Sequence, residues 1–152
     1  MLSGIAFLEG HNSNSKHKSK RVESIKKYIR EGEFIKELMS NTIWTEGKHL
    51  ARGPVIAAMI LTFRKSSSDA EVFWECVRDG DNLPAKSPAL KLRNYLLQTS
   101  VAVGRGVSAH TLSNPASYRE MHGKCIVAWN AFRRSDSTAL KFFADKELPK
   151  VI

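Results

Sequence analysis

Apolar side chains recur at helical spacing along most of the chain. The stretch GPVIAAMILTFRK, residues 53–65, places Pro54 in a first-turn position and stays apolar on nearly all sides up to Arg64. This pattern predicts a central, buried helix. No series of alternating apolar and polar residues indicates strands. The sequence therefore predicts an all-α fold, a compact bundle of five to seven helices with a flexible basic N-terminal segment.

The helix after the central one has recognisable ends. An apolar stripe runs from Ala70 to Val77. Ser68 and Glu71 have the spacing of a capping box, and Gly80 suits a helix C-cap. These signals predict a single helix with both ends marked.

Two further helices are predicted in the C-terminal half. One begins after Ser87, where a proline suits the first turn. Residues 101–114 contain two glycines and no helical period, so they are predicted to form a loop or a short extended piece. The last long helix is predicted from about Asn114 to Arg134 by the spacing of its apolar residues. The residues after it are predicted to lie back on the body through Leu140, Phe142 and Phe143.

The N-terminal part of the chain has a different composition. Residues 11–20, HNSNSKHKSK, contain no apolar side chain, so nothing in them offsets the entropy cost of ordering the backbone. They are predicted to form a mobile linker. The chain therefore divides into residues 1–20, an N-terminal segment with this polar and basic linker, and residues 21–152, a single helical domain. Gly32 is predicted to separate two short helices within that domain.

The overall charge narrows the classes of partner. The 152 residues include 24 Lys and Arg against 15 Asp and Glu, a formal net charge of +9 at pH 7. Such an excess favours polyanionic partners such as nucleic acid, an acidic protein surface or anionic lipid, and charge alone does not choose among them. No apolar run approaches the roughly 20 residues that span a membrane, and the start of the chain lacks the basic region of a signal peptide. We therefore expect no membrane partner and a location in the cytoplasm of a host cell.

No sequence pattern indicates catalysis or metal binding. The five histidines are scattered, and none forms the paired motif of a zinc protease helix. DGDN at residues 79–82 lacks the other ligands of a calcium loop, and GRG at residues 104–106 lacks the Lys-Ser/Thr of a phosphate-binding loop. Cys76 and Cys125 lie within apolar helical patterns and are predicted to be reduced core thiols. The sequence predicts a non-enzymatic protein with no catalytic residue, no metal site and no cofactor.

Two groups of polar and basic residues form the predicted nucleic-acid-binding site. The first lies on the linker and the helix after it, and comprises Lys16, Lys18, Lys20, Arg21, Lys26, Lys27 and Arg30. The second lies on the last helix and comprises Arg119, Asn130, Arg133 and Arg134. A turn of about 100° per residue projects three of these four to roughly one side. A solvated linker and helix face, or cations that complement a helix C-terminus, are the alternative explanations.

Two stretches resemble the C-terminal helical region of ParB-like proteins carried by phages and plasmids. They are FWECVRDGDNLPAKSPALKLRNYLL at residues 73–97 and KCIVAWNAFRRSDSTALKFFADKELPKV at residues 124–151. The N-terminal ParB/sulfiredoxin-type domain of that family, with its GQHR-like phosphate-binding motif, is absent from this sequence. The resemblance therefore implies a helical accessory module from a mobile genetic element, and any nucleotide-dependent activity of that family cannot be transferred to this chain.

The sequence leaves three hypotheses of function open. The first is a small non-enzymatic nucleic-acid-binding protein, DNA or RNA, of a phage or mobile genetic element. The alternative is a protein-binding inhibitor or adaptor, of the anti-CRISPR type, that docks on an acidic surface of a host nuclease or RNA-guided complex. The third is a homodimer in which an exposed apolar stripe at Trp129 or Phe142 forms the interface and the charge only maintains solubility.

Overall fold

The structure of the protein is a computed structural model that describes residues 1–10, 18–40, 49–104 and 115–152. Within these residues it contains seven helices and no strand, which confirms the predicted all-α fold. In chain order the helices are α1 (Leu2–Leu8), α2 (Lys18–Lys27), α3 (Ile29–Ser40), α4 (Gly53–Lys65), α5 (Ser67–Asp79), α6 (Pro88–Gly104) and α7 (Pro115–Arg133).

α4 is the central helix, as its apolar sequence predicted. Its residues from Pro54 to Ile60 are buried, and α1, α3, α5 and α7 pack around it. The buried hydroxyl of Thr62 donates to Ala58 O at 2.9 Å and accepts from Trp74 Nε1 at 2.8 Å. α5 therefore joins the core at Trp74 with the indole donor paired, which avoids the cost of a buried unsatisfied polar group.

α1 lies directly on α4. Gly4 is so close to α4 that a side-chain carbon at this position would overlap Ile56 and lie 3.0 Å from the backbone nitrogen of Ala57. Glycine therefore sets the closeness of the two helices, and the contact buries Ile5 in the core. Residues 11–17, most of the predicted mobile linker, lie outside the described residues, so the predicted domain division at residue 21 stays a prediction.

His122 of α7 is buried where α1, α4 and α7 meet. Its Nδ1–H donates to the Pro54 carbonyl of α4 at 3.0 Å, and its ring centroid lies 5.1 Å from that of Phe7 on α1. Burial lowers the pKa of this imidazole, and the charge of Arg119 lowers it further, while the hydrogen bond to Pro54 acts in the opposite direction. The folded protein therefore favours the neutral form of His122.

Acidification is expected to destabilise the protein through His122. Below about pH 6.5, the ordinary pKa of histidine, the unfolded chain binds a proton that the folded chain resists, so the free energy of unfolding falls with pH. Urea unfolding above and below this pH, for the wild type and His122→Asn, measures the effect. The asparagine amide keeps a donor for Pro54 but does not titrate, so the variant is expected to lose less stability on acidification. Equal losses in the two proteins would contradict this role of His122.

The break between α2 and α3 lies at Tyr28, not at Gly32. The prediction that Gly32 separates two helices is wrong, because Gly32 lies within α3 and faces the side chain of Met1. Tyr28 is buried, and its backbone N–H donates to Ile25 O at 3.0 Å. The break therefore places the Tyr28 ring in the core, and Gly32 leaves room for the side chain of Met1.

The two ends of α5 follow the predicted signals to different degrees. Gly80 ends the helix in the left-handed conformation, at φ 74°, as predicted. At the other end the N-cap position is Ser66 rather than Ser68. The Ser66 hydroxyl donates to Asp69 Oδ2 at 2.8 Å, a side-chain contact in place of the predicted capping box.

α6 extends into residues 101–114, which were predicted to form a loop or a short extended piece. α6 begins at Pro88, as predicted, but continues to Gly104, so the first part of the predicted loop is helical. Residues 105–114 lie outside the described residues. α7 spans Pro115–Arg133 and agrees with the predicted last long helix to within a residue at each end.

The residues after α7 form a tail, defined here as residues 134–152, that turns back along the helix. Asp136 N–H donates to Ala131 O at 2.9 Å and Ser135 N–H donates to Phe132 O at 3.0 Å, the hydrogen-bond pattern of a Schellman motif. Ser135 adopts the left-handed conformation, at φ 56°, in a position that glycine usually fills. The turn that starts the tail is therefore strained at one residue.

Ser135→Gly is expected to raise the free energy of unfolding by about 0.5–1 kcal/mol, because glycine adopts the left-handed conformation without the steric penalty of a side-chain carbon. Urea unfolding followed by circular dichroism measures the change. Ser137→Gly is the matched control, since Ser137 is exposed and has no positive φ. It is expected to lower stability slightly through the greater freedom of the unfolded chain. A loss of stability in Ser135→Gly as large as that of the control would contradict the strain.

The aromatic residues of α7 and the tail are buried within one chain. Trp129 is fully buried, with its ring centroid 5.6 Å from that of Phe73 on α5. Phe142 is buried and Leu140 partly buried, as predicted, whereas Phe143 is 62% exposed. Trp129 and Phe142 are therefore not the exposed interface that the homodimer hypothesis assumed.

Candidate nucleic-acid interface

Three members of the first predicted basic group lie exposed at the α2–α3 junction. Lys26 and Lys27 end α2, and Arg30 lies in the first turn of α3. Lys27 Nζ is 3.5 Å from Glu9 Oε1, yet the lysine side chain remains 59% exposed. The other members are placed on α2 by their backbone only (Lys18, Lys20 and Arg21) or lie outside the described residues (Lys16).

Arg64, in the last turn of α4, fixes this junction to the rest of the bundle. The central carbon of its guanidinium lies 4.3 Å from the centroid of the Tyr28 ring, a cation–π contact. Nε donates to Glu31 Oε1 at 2.5 Å, and a terminal nitrogen donates to Lys27 O at 3.0 Å. These contacts hold the α2–α3 junction beside Lys65, the last residue of α4.

A cavity of about 470 Å³ opens where α4 ends and α5 begins, beside the start of α3. Its lining carries one carboxylate, that of Glu31, which Arg64 already pairs. The basic and hydroxyl side chains in the lining are those of Arg30, Arg64, Lys65, Ser66, Ser67 and Ser68. The cavity therefore offers positive charge and hydrogen-bond donors to an anion.

The second predicted group reaches the same end of the bundle through Arg133. A terminal nitrogen of Arg133 donates to Asp69 Oδ2 in the first turn of α5, and the guanidinium lies 5.6 Å from the Trp129 ring centroid. Asp69 also accepts from Ser66, which lines the cavity. The next residue, Arg134, is exposed but lines a different pocket, together with Asn130 and Asp136, so its contact with nucleic acid stays a prediction. The end of α7 therefore lies beside the cationic cavity.

Arg119 and Asn130, the other members of the second group, bind the tail. Arg119 donates through Nε to Ala144 O and through a terminal nitrogen to Lys146 O, both at 2.9 Å. Asn130 Nδ2 donates to Lys150 O at 2.8 Å. Backbone carbonyls of the tail already accept hydrogen bonds from these side chains. A contact between Arg119 or Asn130 and nucleic acid stays a prediction.

We name the surface where the two groups meet the cationic end. It consists of Lys26, Lys27, Arg30, Arg64, Lys65 and Arg133. Three of these cations pair with the carboxylates of Glu9, Glu31 and Asp69, and the other three have no ion-pair partner among the described residues. Arg64 and Lys65 were not predicted as site residues, although a basic pair that ends an apolar helix is visible in the sequence.

Other kinds of site are not indicated in the part of the chain that the structure describes. No group of three His, Cys, Asp or Glu side chains there is placed to hold a metal ion. Burial raises the pKa of the Cys76 and Cys125 thiols, so both are protonated at neutral pH. The described helices include none with the length and apolar character to cross a bilayer. No protein-family model, curated protein or solved structure matches the chain.

Proposed function

We propose that the protein is a non-enzymatic nucleic-acid-binding protein whose cationic end contacts phosphates. The observation that supports this best is the convergence of two basic groups, distant in the sequence, at the end of α4. Lysines and arginines that neutralise phosphates release the counterions condensed on nucleic acid, and this release drives binding that is independent of sequence. Concentrated cations also steer a polyanion to one face of the protein.

The way in which the cations are held supports the same proposal. The guanidinium of Arg64 is fixed by Tyr28 and Glu31, so its charge does not have to be ordered when a ligand binds. The exposed side chains of Arg30 and Lys65 on either side of it remain able to adjust to a flexible backbone. The hydroxyls of Ser67 and Ser68 in the cavity are donors of the kind that commonly bind phosphate oxygens, whereas that of Ser66 already donates to Asp69.

The resemblance of residues 73–97 and 124–151 to ParB-like proteins belongs to this proposal. It supports an origin in a phage or another mobile genetic element, and action in the cytoplasm of the host. The six cationic residues of the cationic end lie both within and outside the resembling segments, so binding does not depend on that origin.

Fluorescence anisotropy with labelled duplex DNA, single-stranded DNA and RNA tests the proposed function. If the three cations without an ion pair each neutralise a phosphate, the logarithm of the binding constant is expected to fall with the logarithm of salt concentration with a slope of about −2.7 for duplex DNA. Single strands are expected to give about −2.1. Binding that is absent even at low salt would exclude the proposal.

A pull-down from host lysate, with and without nuclease, separates this function from the alternative. Partners that disappear after nuclease treatment support nucleic acid as the ligand. A host protein that remains bound through the cationic end would instead identify the inhibitor or adaptor, because a cationic surface also fits acidic patches on proteins. Repeating the capture with a charge-neutralised variant then shows whether the cationic end is responsible.

A further inference from the structure

The tail up to Lys146 is held through its backbone by side chains of α6 and α7. Lys91 Nζ, in the first turn of α6, donates to Thr138 O at 2.7 Å. Further along, Arg119 of α7 donates to the carbonyls of Ala144 and Lys146. The tail therefore runs from the end of α7 past α6 and towards the start of α7.

The last residues of the tail return along the same helix. Asn130 donates to Lys150 O at 2.8 Å and accepts from Ile152 N at 3.2 Å. Trp129 Nε1 donates to Ile152 O at 3.1 Å. Both ends of the tail are thus fixed by directed hydrogen bonds, and the groove formed by α6 and α7 binds the tail mainly through its backbone carbonyls.

One feature of the groove selects the sequence of its occupant. The ring of Phe142 lies against Gly123 of α7, where a side-chain carbon would overlap the ring. Phe142 is only 6% exposed. The contact at Gly123 therefore favours a flat aromatic ring in the occupant at this point, four residues after its contact with Lys91 and two before its first contact with Arg119. The tail of this chain meets that preference.

The segment that connects α7 to the docked part of the tail, residues 134–137, is exposed and strained. All four residues are exposed, and Ser135 adopts the left-handed conformation at φ 56°. Strain in a short connecting segment favours exchange of the following segment between two copies of a chain, because opening the connection relieves the strain while every other contact forms again.

We propose that the groove between α6 and α7 also binds the tail of a second copy of this chain, which produces a reciprocal, tail-exchanged dimer. Each contact to Lys91, Arg119, Gly123, Trp129 and Asn130 then forms between two copies instead of within one. The exchange does not depend on nucleic-acid binding.

Protein concentration decides between the closed monomer and the exchanged dimer, since the two share all contacts outside the connecting segment. Within one chain the tail is at an effective concentration of about 1 mM or more, so the monomer is expected to predominate in dilute solution. The dimer is expected after refolding at high concentration. It is also expected to dissociate slowly on dilution, because both tails must leave their grooves first.

Deleting Ser135, Asp136 and Ser137 tests the proposal directly. Without these residues α7 cannot turn back, so the tail can reach only the groove of another copy. Size-exclusion chromatography with light scattering is expected to show a dimer. A control with Gly-Ser-Gly inserted after Asp136 is expected to be monomeric. A deletion variant that is folded by circular dichroism and monomeric overturns the proposal.

Phe142→Ala in the deletion variant shows whether the dimer is the exchanged one. Removal of the ring is expected to weaken the dimer at least about tenfold, and an unchanged dimer would overturn the proposal. If the deletion variant does not fold, the wild type refolded from urea at about 1 mM and at about 10 µM decides the question. A dimer that forms only at the higher concentration and persists after dilution supports the exchange, and monomer at both concentrations overturns it.

Discussion

Replacement of three cations by glutamine, at Lys26, Arg30 and Lys65 together, is expected to weaken binding to duplex DNA by about two to three orders of magnitude at about 0.1 M salt. Each removed phosphate contact also lowers the salt slope by about 0.9, so the triple variant is expected to lose about 2.7 of it. All three side chains are exposed and form no ion pair within the described residues. Stability is therefore expected to change by no more than about 0.5 kcal/mol per residue.

The matched control removes the same charge elsewhere. Lys86, Lys141 and Lys146 are exposed and do not line the cavity. Their replacement by glutamine is expected to reduce affinity much less and to leave the salt slope nearly unchanged. Equal losses in both triple variants, measured by anisotropy over the same range of salt, would show that net charge and not the cationic end determines binding.

Gly123→Ala is expected to lower the free energy of unfolding by about 3 kcal/mol. The added carbon would occupy the position of the Phe142 ring, so the ring must leave α7 and lose most of its burial. A backbone glycine in mid-helix normally favours the opposite result, since alanine has the better helix propensity by about 1 kcal/mol. Guanidinium unfolding followed by circular dichroism measures which effect prevails.

A double-mutant cycle isolates the contact between Gly123 and Phe142. Phe142→Ala alone is expected to cost about 3 kcal/mol or more. With the ring already removed, Gly123→Ala is expected to cost nothing or to stabilise α7 slightly, so the two changes are strongly non-additive. If the stability losses of the two single variants instead add up in the double variant, the Phe142 ring does not lie against Gly123.

The elements that the sequence predicts well are those fixed by local periodicity and local conformation. α4 is buried because its apolar residues leave no polar side, and α5 ends where Gly80 supplies a left-handed residue. α7 keeps an apolar spacing over its whole length, so its bounds are close to those predicted. Each of these signals lies within one helix, and a single sequence contains it.

The role of a glycine that leaves room for a residue distant in the sequence cannot be predicted from local signals. Gly32 appeared to break a helix because glycine has low helix propensity, whereas it admits Met1 to the side of α3. Gly4 and Gly123 likewise admit Ile56 and Phe142. The partner that requires the glycine lies far away in the sequence, and no local pattern reveals it.

The predicted binding residues divide for a related reason. Angular spacing indicates the direction in which a helical side chain projects but not what lies opposite. Arg119 and Asn130 project away from the apolar side of α7, as predicted, but the tail lies across them. Arg30 projects into the cavity lining, beside Arg64 and Lys65 from a different helix. Only the packing of α3 on α4 brings these charges together.

The tail binds through carbonyl oxygens, which every amino acid supplies, so many of its outward side chains are dispensable for docking. Phe143 is the clearest example, because it is 62% exposed while its neighbour Phe142 is buried. A fluorophore attached through Phe143→Cys, in a Cys76→Ser background, is therefore expected to label the tail and to leave its hydrogen bonds and the Phe142 contact in place. Single-molecule imaging of such a labelled chain could follow release and rebinding of the tail in real time.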